Sequence, residues 1–175
     1  MAGPWPLLRS ILRNCVAGTL VAVTINDRYA SLIPVRGSSM LPTLEPQLGD
    51  RMLVNRLYLD TGHGLSRGDV VVFRSPTEHR SLLVKRLIAL PGDWIQVPAA
   101  QEIRQIPEGH CWVEGDNPEI SLDSRSYGPI PLGLMQGRVS HIVWPPNRIG
   151  RVERKMPEGR VLSVFILFPV HLLPT

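Results

Sequence analysis

The stretch LLVKRLIAL, residues 82–90, decides the fold, because two adjacent cations interrupt a run that is otherwise apolar. Side chains alternate between the two faces of a β-strand. Lys85 therefore lies on one apolar face of such a strand and Arg86 lies on the other. This pattern predicts a strand that is buried on both sides and carries two charged side chains.

Lys85 is the residue whose chemistry this burial would change. An ammonium group is expensive to bury unless it is paired or gives up its proton. A lysine held close to neutrality is a usable general base, and a general base needs a nucleophile. Two structural interpretations of Lys85 are compatible with the same pattern. The lysine could be salt-bridged, or it could lie on an edge strand from which its ammonium group reaches water.

A candidate nucleophile lies in VRGSSMLPTL, residues 35–44. Gly37 and Pro42 predict an irregular turn that presents the hydroxyls of Ser38 and Ser39 between apolar neighbours. Serine is often only a turn residue in such segments. The turn also lacks the G-x-S-x-G pattern of a nucleophile elbow, so the residues alone do not assign a nucleophile.

A third polar segment, residues 114–129, is dense in turn-forming residues. Ser121, Asp123 and Arg125 alternate within it, so an extended backbone would direct all three side chains to the same side. A solvated surface loop has the same composition, and the alternation alone does not separate the two interpretations.

Together these segments resemble the type I signal peptidase family. Its nucleophile box matches residues 37–43, and a second box matches residues 67–73. Its lysine box matches residues 85–93. Its last box matches residues 115–117, followed by residues 121–128. Four boxes in the family's order, spread over most of the chain, form a specific signal, whereas any one of them alone is weak.

The short catalytic region and the segment at residues 141–146 are similar, within that family, to subunit 2 of the mitochondrial inner membrane peptidases. The resemblance implies a mostly β fold, a signal-peptidase-like irregular β-barrel or coiled sheet with an N-terminal membrane-anchor helix. Short apolar runs separated by turn signals, with 15 Gly and 17 Pro, independently predict a mostly β domain. The candidate strands are residues 51–55, 69–73, 82–90, 94–97, 110–114 and 139–144.

The resemblance also implies the catalytic roles. Ser39 matches the nucleophile, Lys85 matches the general base, and Ser121 matches a hydroxyl that orients the lysine. A serine needs an adjacent base, which a neutral lysine supplies in place of an imidazole. The backbone N–H of Ser39 is the expected oxyanion donor, with Ser38 as a second candidate, because Gly37 stands where some family members have a serine.

Three supporting residues complete the expected site. Asp123 and Arg125 match a structural ion-pair network, which we expect to reach Arg86. Asp123 would then neutralise Arg86 while Lys85 loses its proton. No His or Cys pattern has metal-ligand spacing and no glycine-rich phosphate loop occurs, so neither a metal nor a cofactor is expected.

The sequence divides into three regions. Residues 1–34 are an N-terminal anchor or targeting segment, residues 35–148 are the signal-peptidase-like catalytic domain, and residues 149–175 are a basic linker with an apolar C-terminal tail. The apolar core at residues 15–25 is shorter than the roughly 20 residues that a spanning helix needs. A buried helix or a targeting segment is therefore an alternative to an anchor.

The partners and the location follow from charge and resemblance. The net charge of +4 comes from scattered cations without an aromatic stripe, which argues against nucleic acid and favours anionic membrane lipid. The resemblance implies precursor proteins with cleavable sorting peptides and a paralogous subunit 1 as partners. With Arg9 and Arg13 on the matrix side, the catalytic domain would face the intermembrane space from the mitochondrial inner membrane.

Three functions are compatible with these features. The first is a membrane-bound Ser-Lys endopeptidase that removes sorting or signal peptides from mitochondrial precursors. The second is a catalytically silent subunit that stabilises a heteromeric inner membrane peptidase. The third is a LexA-type self-cleaving regulator, which would need a DNA-binding helix-turn-helix, and the segment before Val35 is too short and too apolar to supply one.

Overall fold

Strands form more of the described chain than helices do. The computed structural model describes residues 5–57, 64–78, 80–97, 102–157 and 159–162. The helices are α1 (Trp5–Arg28) and α2 (Ser124–Tyr127). The strands are β1 (Ala30–Pro34), β2 (Arg51–Asn55), β3 (Val70–Arg74), β4 (Leu82–Ala89), β5 (Trp94–Val97), β6 (Glu102–Gln105), β7 (His110–Glu114), β8 (Ile130–Pro131), β9 (Met135–Trp144), β10 (Gly150–Arg151) and β11 (Val161–Leu162).

The strands form two antiparallel sheets. The larger sheet has the order β1-β2-β9-β3-β4-β7-β8, with β10 paired to β9. The smaller sheet has the order β11-β5-β6. The predicted mostly β fold with a coiled sheet is therefore confirmed.

β4 occupies the interior of the larger sheet, where β3 and β7 flank it. Its residues from Lys85 to Ala89 are all buried, as the apolar run on both faces predicts. Burial of apolar side chains on both faces stabilises such a strand by roughly 25 cal/mol for each Å² removed from water. The fold therefore holds two cations inside the sheet, and their partners decide what each can do.

The nucleophile segment is an irregular loop packed onto this sheet. Val35, Met40 and Leu44 belong to the same buried cluster as Met52 and Val54 of β2. The polar residues between these anchors lie nearer the surface than the anchors themselves. Apolar packing on both sides thus fixes where the two serines are presented.

α1 is the helix expected at the N-terminus. Among the residues that the structure describes, no helix combines the length and the apolarity needed to cross a membrane. Several apolar side chains of α1 are exposed, namely Trp5, Leu8, Ile11, Leu12, Val16, Leu20, Val21 and Val23. The expected role as a membrane anchor stays a prediction, and the apolar tail at residues 163–175 lies outside the described residues.

Candidate active site

Lys85 and Ser39, 46 positions apart in the sequence, meet at the edge of the larger sheet. The Lys85 Nζ lies 2.5 Å from the Ser39 Oγ, and the lysine is only 3% exposed. Within the described residues, the structure shows no ion pair to this ammonium group. The salt-bridged alternative and the solvent-exposed alternative for Lys85 are therefore both disfavoured.

The surroundings of Lys85 favour its neutral form. Burial lowers the pKa of Lys85, and the positive charge of Arg125 lowers it further, while the carboxylates of Asp123 and Asp116 act in the opposite direction. Desolvation is the largest of these causes, because the charged form loses its hydration inside the sheet. A lysine with a lowered pKa beside a hydroxyl is the arrangement that a general base requires.

Gly37 explains the local path of the nucleophile loop. Its φ of +76° lies in the left-handed region, which residues with a Cβ rarely adopt. A serine at this position would strain the backbone, so the extra hydroxyl found in some signal peptidases has no ready equivalent here. The backbone N–H of Leu41 donates to the Ser38 carbonyl, and that of Leu44 donates to the Met40 carbonyl, which closes the loop.

Asp123 collects most of the hydrogen bonds of the third segment. Its carboxylate accepts from the Ser121 hydroxyl at 2.6 Å, from the Gly115 N–H at 2.9 Å and from the Arg125 guanidinium at 2.5 Å. Burial alone would raise the pKa of this carboxyl, but these hydrogen bonds outweigh it and hold the pKa below the ordinary value. Asp123 is thus a buried, ionised carboxylate whose charge acts on Lys85.

Ser121, Asp123 and Arg125 come together in a different way from the one predicted. The segment is not an extended strand with three side chains on one face, because Asp123 caps the N-terminus of α2 and accepts from the Arg125 N–H. The Ser121 hydroxyl donates to Asp123, whereas the prediction directed it at Lys85. The competing interaction is the helix cap, which bends the chain at Asp123.

Arg86 has a different partner from the one expected. Asp116, not Asp123, binds it through two hydrogen bonds, from Nε at 2.7 Å and from NH2 at 2.6 Å. Its remaining nitrogen donates to the Gly68 carbonyl and to the Glu153 carbonyl. The two cations of β4 alternate along the strand and point to opposite faces, whereas the carboxylate of Asp123 is taken up by Ser121, Gly115 and Arg125.

Asp116 also reaches the nucleophile loop. The Thr43 hydroxyl donates to its carboxylate at 2.5 Å, and the Asn117 N–H donates to the Ser39 carbonyl at 3.0 Å. Sequence reasoning missed Asp116 as a site residue, although it lies in the family's last box. The signal available was an acidic residue at the start of a turn in the family's last box, in a chain whose buried Arg86 needs a carboxylate partner.

Gly115 is the second residue that sequence reasoning missed. A Cβ at this position would lie 2.2 Å from the Ser121 Oγ and 2.5 Å from the Ser39 carbonyl oxygen. Real atoms do not approach so closely, so only glycine lets these two segments touch the backbone here. Gly115 therefore sets how near the nucleophile loop comes to the Asp123 network.

A cleft of about 520 Å³ opens beside Lys85 and Ser39. One wall is formed by residues 33–37 and the other by residues 80–84. Residues 82–85 of β4 pair with β3 on one side, and the described part of β7 pairs only from Arg86 onward. β1 ends the larger sheet, so the cleft lies beside two free strand edges in the described chain.

Other titratable candidates do not form a second catalytic group around this cleft. Burial raises the pKa of the Cys111 thiol to about 12, which makes it a poor nucleophile. No group of three or more His, Cys, Asp or Glu side chains that could hold a metal ion occurs among the described residues. The hydroxyl of Ser39 and the amine of Lys85 are the groups that the cleft presents for chemistry.

Comparison with known proteins places this site in a family. The family model described as "Signal peptidase, peptidase S26" matches residues 8–101 and 96–144. The chain belongs to this family of peptidases.

Several curated proteins similar to this chain are named as subunits of mitochondrial inner membrane proteases. The chain is 40% identical over 160 residues to mitochondrial inner membrane protease subunit 2 of Danio rerio, with 87% of each chain covered. It is 38% identical to the subunit 2 of Saccharomyces cerevisiae, over 87% of this chain and 90% of that one. It is also 38% identical to subunit 1 of Mus musculus, over 78% and 82% of the two chains. A signal peptidase I from Enterococcus faecalis aligns over 42% of this chain and 95% of its own, with 23% identity and a TM-score of 0.36.

Proposed function

We propose that the chain is a membrane-bound Ser-Lys endopeptidase that cleaves sorting or signal peptides from precursor proteins of the mitochondrial inner membrane and intermembrane space. The observation that carries the proposal is the 2.5 Å contact between the Nζ of the buried Lys85 and the Ser39 Oγ at the cleft. Membership of the signal peptidase family supplies the reaction class, and the names of the relatives support the location.

Ser39 is the better of the two candidate nucleophiles. Its hydroxyl contacts Lys85, and it lines the cleft together with that lysine, whereas Ser38 is not among the lining residues. The Ser39 N–H is the donor that we assign to the oxyanion, and the Ser38 hydroxyl is a second candidate. Preorganised donors of this kind are worth about 10²–10³-fold in rate.

The reaction begins with proton transfer from Ser39 to Lys85. Neutral Lys85 accepts the hydroxyl proton as the Ser39 Oγ attacks the peptide carbonyl carbon. The protonated amine then gives that proton to the leaving nitrogen as the C–N bond breaks, which leaves an ester on Ser39. A water molecule next gives a proton to Lys85 and attacks the ester carbon. The acid is released and the Ser39 hydroxyl is restored.

The supporting residues tune and position this pair. Asp123 and Arg125 form an ion pair, and their opposite charges largely cancel at Lys85. Burial therefore remains the dominant influence on the pKa of Lys85. Ser121 acts on the lysine through Asp123. Arg86 and Asp116 hold the nucleophile loop through Thr43.

The substrate enters the cleft as an extended strand. The edge of β1 at residues 32–34 and the edge of β4 at residues 82–85 face no strand in the described part of the chain, and they lie on the two sides of the cleft. Peptides often bind by adding a strand to such an edge. Val35, Met40 and Leu83 line apolar wall surface that suits the small residues which the family resemblance implies at the first and third positions before the cut.

The partners follow from the relatives. Similar proteins are named as subunit 1 and subunit 2 of one mitochondrial protease, so we propose a heterodimer of this chain with a paralogous subunit 1. α1 would hold the complex at the inner membrane through membrane lipid, with the catalytic domain in the intermembrane space. If subunit 1 carried out the cleavage, this chain would be a catalytically silent stabilising subunit. The following experiment distinguishes that role from catalysis by this chain.

The test compares wild type, Ser39→Ala and Lys85→Met, each reconstituted in detergent with subunit 1 and given a precursor that carries a small-residue cleavage site. Methionine fills the buried slot of the lysine without a charge or a basic nitrogen. We expect turnover by both variants to fall by at least about 10³-fold, because the nucleophile and the base act together and neither works without the other.

The mature product is followed by mass spectrometry, and the fold is checked by circular dichroism. Equal product from all three proteins would mean that subunit 1 cuts this precursor, and the chain would then be a stabilising subunit. A variant of Lys85 with wild-type turnover would rule out the base assignment even if Ser39→Ala were inactive.

A further inference from the structure

The chain that follows β10 returns across the larger sheet instead of leaving it. We call residues 153–162 the C-terminal strap, of which the structure describes all but residue 158. The Glu153 carbonyl accepts from Arg86, and the Arg154 Nε donates to Asp69 at 2.6 Å. The strap ends in β11, which pairs with β5 of the smaller sheet. A segment that reads as a basic linker in sequence therefore contacts the larger sheet region near its start and the smaller sheet at its end.

Arg160 makes the most deeply buried contact of the strap. Its NH2 donates to the Glu114 Oε1, with the two side chains only 11% and 8% exposed. Its NH1 donates to the Gln96 carbonyl at 3.1 Å, and the Trp112 Nε1 donates to the same Glu114 oxygen at 2.7 Å. A buried carboxylate that loses its cation becomes an uncompensated charge, which is strongly destabilising at that point of the structure.

Glu114 is adjacent in sequence to Gly115, which sets the distance between the end of β7 and the nucleophile loop. It ends β7 and directly precedes Gly115, whose N–H binds Asp123. The Gly115 backbone is the surface against which the Ser39 carbonyl and the Ser121 hydroxyl pack without room for a Cβ. Because Gly115 is bonded to Glu114 and lies against the Ser39 carbonyl, a shift of the Glu114 backbone reaches the nucleophile loop through Gly115.

We propose that Arg160 is a positioning residue for the Ser39–Lys85 pair, acting through Glu114 and Gly115. The proposal rests on the proposed peptidase function and adds a residue outside the four family boxes. It gives the C-terminal strap a part in the reaction although the strap touches neither the nucleophile nor the base.

A line of alternating charges runs along the same route. Arg160 faces Glu114, the charge of Glu114 acts on Arg125, and Arg125 pairs with Asp123 beside Lys85. Without Arg160, Glu114 would attract Arg125 away from Asp123. The less compensated Asp123 carboxylate would then favour the charged form of Lys85.

Other charged groups lie near Lys85 and would be unchanged in a variant of Arg160. Asp116 acts on it from the turn after β7, and Arg36 and Arg80 line the cleft from its two walls. Because none of these three contacts the strap arginine in the described structure, a change in the pH profile would report the Arg160 route.

The experiment uses the full chain with subunit 1 and an internally quenched peptide with small residues at the first and third positions before the cut. We compare Arg160→Gln with Arg154→Gln, a control that removes another ion pair of the same strap, whose acidic partner is Asp69 and not the neighbour of Gly115. We expect Arg160→Gln to lower kcat about tenfold, within the range of coupling measured for interacting residues, with little change in KM. The acid limb of its pH profile moves to higher pH, and Arg154→Gln behaves as wild type.

The double variant Glu114→Gln/Arg160→Gln keeps the proposal testable if the single variant folds poorly. It removes the buried carboxylate together with its cation, so we expect kcat to return to within about threefold of wild type. The proposal is overturned if Arg160→Gln lowers only the melting temperature, or if its kcat and pH profile match those of Arg154→Gln. It is also overturned if the double variant is no more active than Arg160→Gln.

The same assay separates this proposal from the proposed function. Activity that survives Ser39→Ala would refute the peptidase assignment for this chain whatever the Arg160 variants do. Activity that requires Ser39 and Lys85 but is indifferent to Arg160 would refute the strap proposal alone.

Discussion

At the scale of single residues, the site depends on how one buried amine is kept uncharged. The ordinary pKa of lysine is about 10.4, and burial beside Arg125 lowers the pKa of Lys85. The base form is required, so the rate rises as pH increases through the pKa of Lys85 and falls below it. The acid limb of the kcat/KM profile is therefore expected below the ordinary pKa of lysine.

The substitution Arg125→Gln tests this dependence. It removes a positive charge that lowers the pKa of Lys85 and leaves the Asp123 carboxylate less compensated, and both changes raise that pKa. We expect the acid limb to move to higher pH, so that kcat/KM at neutral pH falls while the rate at alkaline pH is largely recovered. Arg67→Gln, which removes a half-exposed ion pair with Asp93, serves as the control. A limb that stays in place or moves to lower pH would contradict the assigned base.

At the scale of elements, the sequence predicts strands well where burial produces a pattern. The runs at residues 51–55, 94–97 and 110–114 coincide with β2, β5 and β7. β6 was missed because its side chains are mostly exposed, so no apolar alternation marks it. β9 begins at Met135, ahead of the predicted residue 139.

The site was predictable to the extent that it depends on motifs. The family boxes indicate that Ser39 and Lys85 belong together, and the structure places them in contact. The partner of Arg86 was wrong because the choice between Asp116 and Asp123 depends on the path of the turn after β7. That path follows from a helix cap at Asp123 and from the missing Cβ of Gly115, neither of which has a periodic signal.

The contact between β7, the nucleophile loop and the turn before α2 yields an element-scale prediction. Gly115→Ala would place a methyl group 2.5 Å from the Ser39 carbonyl oxygen and must move one of the segments. A 1 Å displacement in an active site can lower the rate about 10²-fold, so we expect a loss of that order in kcat. Gly133→Ala is the matched control, because a Cβ there meets nothing within 4 Å. Equal turnover of both variants in the quenched-peptide assay would show that the spacing at Gly115 does not matter.

At the scale of the whole molecule, two features have to be reconciled: a sheet domain with a cleft at its edge and a helix whose apolar side chains have no cover in the described structure. Leu12 is 65% exposed and Leu20 is 64% exposed on α1. Exposed apolar surface of this kind marks an interaction site. The proposed cleavage of inner membrane precursors requires a cleft close to the lipid, and α1 directly precedes β1 at one wall of that cleft.

The full-length variant Leu12→Glu/Leu20→Glu tests whether α1 is the element that contacts lipid. Charged side chains on this surface oppose transfer into an apolar phase, so we expect the protein to lose co-sedimentation with vesicles of mixed zwitterionic and anionic lipid. Cleavage of a short soluble peptide should stay within about twofold of wild type, since α1 carries none of the proposed site residues. Ile103→Glu on the exposed strand β6 is the control, and it should bind vesicles like wild type. Retained vesicle binding by the α1 variant would assign the membrane contact to the sheet domain, whereas a matching loss of peptide cleavage would mean that α1 supports the fold of the cleft instead of its location.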